Sequence, residues 1–240
     1  MRDQTQLPRL GCRRRGRRPA ATGLALATLA LTVALSGCDS SSDGGELKKI
    51  NGSVRVLAGK APRVAETING NIDVDANAAV TVANTINGEI RLGAHATADT
   101  VRTVNGNIAV GPGAHIAEAA VSVNGSVTLK DGAEVLGGVS NVNGAIDVTA
   151  AHVAGGIKTV NGDMTVHGGA RVEGGLLVQK VDELVHPSNV PTIVIGPGAS
   201  VEGDLRFERD VKLYVSSRAT IGPVIGATPI PFSGDTPPAG

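Results

Sequence analysis

Apolar and polar residues alternate in short bursts along most of this chain. Ile72-Asp73-Val74, Ile90-Arg91-Leu92 and Ile108-Ala109-Val110 each read in, out, in, the period of a short half-buried strand. Aliphatic residues also return every six positions, through Ile68, Val74, Val80, Ile86 and Leu92 and again through Val104, Val110 and Ile116. Between the bursts stands an aliphatic-Asn-Gly triplet, with its asparagine at Asn51, Asn69, Asn87, Asn105, Asn124, Asn143 and Asn161. The gaps are 18, 18, 18, 19, 19 and 18 residues, too regular for composition alone to produce. Each unit holds three sixes, so the spacing predicts three short strands and three corners per coil. The fold class this implies is all-β, a single-stranded triangular parallel β-helix of about eight to nine coils. The rival is an antiparallel meander, since Asn-Gly between alternating apolar runs is the strongest short hairpin signal. Against it, the triplet comes once per unit rather than once per strand, and the six-residue period runs through the segments between triplets.

The pattern also predicts details. Asn-Gly before each burst predicts a corner in the left-handed backbone region, where Gly meets no steric penalty and Asn is tolerated. A polar residue precedes most triplets, at Thr67, Thr85, Thr103, Ser122, Asn141 and Thr159, and predicts a polar patch ahead of the corner. Ala78, Ala96, Ala114, Ala133, Ala170 and Ala199 predict one thinly lined side of the core. The two longer gaps predict one extra residue each, near Ala120 and near Ser140. Stacked at about 4.8 Å, the seven asparagines predict a structural column of bonded side-chain amides. The bulky Ile72, Ile90, Ile108 and Ile146 favour a right-handed helix over the left-handed hexapeptide type, which prefers small residues there. The repeat is expected over 50–222. Pro187 and Pro191 mark a looped excursion at 181–192, and Pro223, Pro229, Pro231, Pro237 and Pro238 an irregular tail over 223–240. Phe207, Tyr214 and Phe232 lie late enough to cover the open end of a solenoid.

Composition narrows the function. Of 240 residues 33 are glycine and only three are aromatic, which argues against an ordinary aromatic-cored enzyme. The formal charge is zero, but residues 1–37 carry seven Arg and one Asp, leaving 15 basic against 21 acidic residues in the body. An acidic body with neither a basic stripe nor stacking rings excludes a nucleic-acid binder. The histidines His95, His115, His152 and His167 fall at offsets 9, 11, 10 and 7 within their units, so no single column of zinc ligands is expected. No metal, cofactor or catalytic residue is assigned. An enzyme reading, glycan processing or acyl transfer, would rest on Glu183 and His186 in the excursion.

The amino-terminal segment carries an address. Its arginines precede an apolar run at 20–35, about 16 residues long, which fits an export signal over 1–37 and is short for a membrane span. The run ends in Leu35-Ser36-Gly37-Cys38, which resembles the bacterial lipobox. The resemblance implies a lipidated Cys38 as first mature residue, followed by a flexible tether over 38–49. Asp39 resembles an inner-membrane retention signal of some Gram-negative bacteria, and the choice between inner and outer membrane stays open. Cys12 leaves with the signal, so the exported chain keeps no pair of thiols.

The Val-Asn-Gly-x-Ile-x-Val units resemble bacterial adhesin-type β-helix repeat families. Val201-Glu202-Gly203-Asp204-Leu205 is similar to repeats of bactofilins, which polymerise end to end. These resemblances cover about 50–222. They imply a non-enzymatic, lipid-anchored envelope protein acting as a scaffold or adhesin-like module, with a protein or glycan of the envelope as partner. A bactofilin-like filament built by end-to-end self-association is the alternative.

Overall fold

The computed structural model describes residues 44–180 and 189–238. The export signal, Cys38, the first half of the expected tether and residues 181–188 of the excursion, with Glu183 and His186, lie outside the described residues, and within the second half of the tether the strand Glu46–Asn51 already begins the ladder.

Among the described residues every regular element is a strand, and every pairing between strands is parallel. A ten-stranded sheet forms the first face, running from Val54–Val56 through Ile72–Val74, Ile90–Leu92 and Ile108–Val110 to Lys212–Ser216 and Pro229–Phe232. A fifteen-stranded sheet covers the other two faces. Long strands such as Ala79–Asn87 and Thr97–Asn105 bend across both. From Glu134–Val135 and Gly138–Asn143 onward separate short strands serve each face. This is the three-sided parallel β-helix, with about ten turns rather than eight to nine. The difference lies at the carboxyl end, where Val224–Ile225 and Pro229–Phe232 pair with the preceding coil. Proline lacks an amide proton but is tolerated in an outermost strand, whose outer edge needs no donor.

The core is a bundle of inward columns. In one coil Ile72, Val74, Ala78, Val80 and Ala83 are all at most 3% exposed, and Ile90, Leu92, Ala96, Ala98 and Val101 repeat them in the next. The small alanines Ala78, Ala96, Ala114, Ala133, Ala170 and Ala199 line one corner of the interior as expected. Phe207, Tyr214 and Phe232 are buried within the last coils.

Three local expectations are corrected. First, the polar residue before the triplet faces inward, and the aliphatic residue of the triplet is only half-buried: Thr67, Thr85, Thr103, Ser122, Asn141 and Thr159 are buried, while Ile68, Ile86 and Val104 are intermediate. The hydroxyls of Thr67, Thr85, Thr103 and Ser122 each donate at 3.0 Å to the carbonyl of the corner glycine one coil earlier, Gly52, Gly70, Gly88 and Gly106. The Asn141 amide does the same to Gly125 at 2.7 Å. A buried polar group needs such a partner, and here the interior hydroxyl supplies a donor at the corner.

Second, the Asn-Gly corner is not the left-handed one. None of its seven asparagines has a positive φ, and only Gly52, Gly125 and Gly144 among its glycines do. The left-handed position lies after the first face, where Asn77, His95 and Ala150 have φ of 57°, 56° and 48° and Gly113 and Gly132 have 63° and 69°. Glycine follows asparagine because the coils approach closely there. A Cβ at Gly88 would stand 1.9 Å from the Gly70 carbonyl oxygen, and one at Gly106 would stand 1.9 Å from that of Gly88.

Third, only one bulge serves the two longer gaps. Ala98 pairs Ile116 but Thr100 pairs Ala119, so residues 117 and 118 oppose Asp99 alone, just ahead of Ala120. At Ser140 the ladder runs unbroken, with Ser140 opposite Val121 and Lys158. The offset of 19 seen at Glu134–His115 and Ile146–Val127 falls back to 18 at His152–Glu134, across the tight corner of Ala150.

Candidate functional site

Stacking turns the sequence into rows of outward side chains, and these rows are the molecule's candidate working surface. The longest lies along the Asn-Gly corner. Asn69 Nδ2 donates to Asn51 Oδ1 at 2.9 Å, and Asn87, Asn105, Asn124 and Asn143 continue the row at 2.9 Å each. Asn161 closes it on Asn143 at 3.1 Å. All seven expected asparagines are thus brought together. Every amide points the same way, so the Asn161 end leaves an oxygen to be satisfied.

That oxygen accepts a hydrogen bond from the guanidinium of Arg209, which also donates to the Val160 carbonyl at 3.0 Å and the Asn189 carbonyl at 2.6 Å. The register explains the reach. Thr159 pairs Val178 and Val178 pairs Phe207, so two residues further on the asparagine column continues through Lys180 to Arg209. A cation therefore occupies the ninth position and meets the oxygen end of a row of aligned dipoles, a charge-assisted contact. The sequence signal was present, but the excursion hid the count.

A second row runs along the second face. His115, Glu134, His152 and Arg171 are successive partners in the ladder. His115 Nδ1 lies 3.0 Å from one oxygen of Glu134 and His152 Nδ1 lies 3.2 Å from the other. His152 Nε2 is 3.0 Å from Glu173, and Arg171 reaches Glu173 at 3.3 Å and Glu202 at 2.9 Å. The four histidines do not form a single column, but two of them are brought into one row. His115 and His152 share it because the short corner at Ala150 takes one residue out of the later unit and lowers the offset of His152 by one. His95 sits apart at its left-handed corner, and His167 lies on the first face, 3.0 Å from Thr149 Oγ1. His152 turns its two nitrogens to two different carboxylates. Among the described residues no group of three or more His, Cys, Asp or Glu is arranged to hold a metal ion.

The hydrogen bond with His152, and after it the one with His115, holds the Glu134 carboxyl below its ordinary value of 4.5. A lowered carboxylate contributes stability that is present above the unfolded value and lost as pH falls through the folded one. Glu134→Gln is therefore expected to flatten the fall of the thermal midpoint on acidification below pH 4.5. Midpoints measured from pH 7 downward check this, and parallel curves for the two proteins would refute it.

A groove of about 580 Å³ follows the corner between the first and second faces over the early coils. Arg55 lies on the first of these coils, Arg91 two coils on and Lys130 two coils beyond that, with Ala109 and Gly111 on the coil between Arg91 and Lys130. Arg55 pairs Asp75 at 2.9 Å, and Arg91 pairs Asp73 at 3.3 Å and also Glu89. Among the described residues Lys130 has no ion-pair partner, although Asp131 follows it in the chain.

Compared with family models, with curated proteins and with solved structures, the chain finds no match in any of the three.

Proposed function

We propose that this chain is a non-enzymatic envelope protein, tethered to a membrane by lipid on Cys38, whose β-helix works as a rigid scaffold or adhesin-like interaction module. The observation that carries the reading is the unbroken asparagine row, six amide bonds long and closed by Arg209. Such a row holds successive coils in one register, so outward side chains keep fixed spacings along the rod, which is what a display surface requires. The export signal and the lipobox-like Leu35-Ser36-Gly37-Cys38 supply the anchor. One acyl chain alone binds a membrane only marginally, so stable anchoring implies more than one chain. In a bacterial host, wild-type chain is expected to incorporate radiolabelled palmitate and sediment with membranes, while Cys38→Ser does neither. Equal labelling and sedimentation of the two proteins would overturn the anchor.

End-to-end association of copies is a second reading, favoured by the placement of exposed aliphatic residues. Ile50 and Leu57 lie on the first described coil, 38% and 54% exposed, and Ile225 and Ile230 on the last, 47% and 42% exposed. Sedimentation velocity on unlipidated protein is expected to show mass rising with concentration, and less so for Leu57→Asp. A constant monomer over a wide concentration range would remove this reading.

A further inference from the structure

The groove at the corner of the first and second faces differs from the rest of the surface in charge and in relief. The body of the chain is acidic, 15 basic residues against 21, yet this groove collects Arg55, Arg91 and Lys130, with Asp73, Asp75 and Glu89 paired to the two arginines and none of the three to Lys130. The outward column of the first face reads Arg55, Asp73, Arg91, Ala109, Thr128 in register. At Ala109 the long charged side chains stop. Gly93 and Gly111 at the adjoining corner carry none at all, so the floor is bare where an extended ligand would lie along the axis.

The two arginines converge on the coil of Asp73 and Asp75, while Lys130 stands two coils beyond Arg91, about 10 Å along the axis at the strand spacing. Arg55 and Arg91 are 67% and 51% exposed, and surface ion pairs of this kind exchange partners at little cost. Cations at both ends of a bare floor match a ligand with acidic groups spaced along an extended backbone. Asp73 and Asp75 beside them accept hydrogen bonds from hydroxyl groups. The lining offers no aromatic ring for stacking bases and no deep apolar pocket for a peptide anchor.

We infer that this groove binds a short stretch of an acidic polysaccharide, one carboxylate held by Arg55 and Arg91 and another by Lys130. The inference rests on the reading of the chain as an interaction module and gives that module a partner class.

The test is calorimetric titration of the full chain in detergent micelles with a hexauronate, with maltohexaose as the neutral counterpart. Saturable binding of the hexauronate, weakening with added salt, is expected, and none of maltohexaose. Lys130→Ala is expected to weaken binding at least tenfold, and Ala109→Leu, which fills the floor without adding charge, to abolish it. Both substitutions lie on the surface, and unchanged thermal midpoints would confirm that the fold is intact. Absence of hexauronate binding, equal affinity in both variants, or equal displacement by inorganic phosphate at the same charge would each overturn the inference. Membrane release of Cys38→Ser is measured separately, so failure of the groove and failure of the anchor are distinguishable.

Discussion

Gly88→Ala is expected to destabilise the solenoid by about 3 kcal/mol, at the upper end of what overpacking costs. The added methyl would stand 1.9 Å from the Gly70 carbonyl oxygen and 2.5 Å from its carbon, and neither belongs to a flexible side chain. Relief requires the two coils to part. Parting them strains the ladder bond from Gly70 N–H to Asn87 O at 3.0 Å, which joins the same two coils. Gly169→Ala is the control. It has φ of +83° but nothing within 4 Å of the added carbon, so only backbone strain of about 1–2 kcal/mol applies. Urea denaturation of the three proteins compares them directly. A Gly88→Ala midpoint no lower than that of Gly169→Ala would show that the coils yield at this corner.

Ile108→Ala is expected to cost about 4 kcal/mol, toward the high end for such truncations. Ile108 is fully buried, stacked in register between Ile90 and Val127, themselves fully buried. In a globular core neighbouring elements lean into a cavity, but here the walls above and below are strands fixed at the ladder spacing. The space therefore stays open, and residual cavity volume sets the penalty. Because each coil touches mainly its neighbours, the loss is local. Hydrogen exchange is expected to accelerate most in the strands Ile90–Leu92, Ile108–Val110 and Val127–Leu129. Uniform acceleration along the rod would contradict this.

The repeat could be read from the chain because a solenoid maps sequence period directly onto space. The seven asparagines, the alternating strands of the first face and the alanine corner were each visible as a spacing, and the structure places them as a spacing predicts. What the sequence hid depends on direction and on small offsets. Thr85 and Ile86 are neighbours of opposite polarity, and hydrophobicity alone sends the isoleucine inward. The structure sends the threonine inward because a hydroxyl beside the Gly70 carbonyl supplies its hydrogen bond. Asn-Gly read from one unit predicts a left-handed corner, whereas the reason for its glycine is the carbonyl of another coil, a contact invisible from one unit.

The candidate site shows the same division. His115 and His152 share a row only after the short corner at Ala150 is taken into account. Arg209 lies 48 residues from its asparagine, and the excursion breaks the count that would have linked them. Lys130 and Arg91 flank a bare stretch of groove only because the residues between them are small.

The single sense of the asparagine row makes the rod a vector rather than a symmetric stick. Each carboxamide is told which way to face by the one before it, and one inverted group would set oxygen against oxygen at one joint and amine against amine at the other. Arg209 is matched to only one polarity, so it acts as a terminus for the whole file. Removing one complete turn between two asparagines would leave the file continuous and the rod shorter; removing part of a turn would unseat every member beyond the cut. Length in this protein is therefore adjustable in whole steps, and orientation is not adjustable at all.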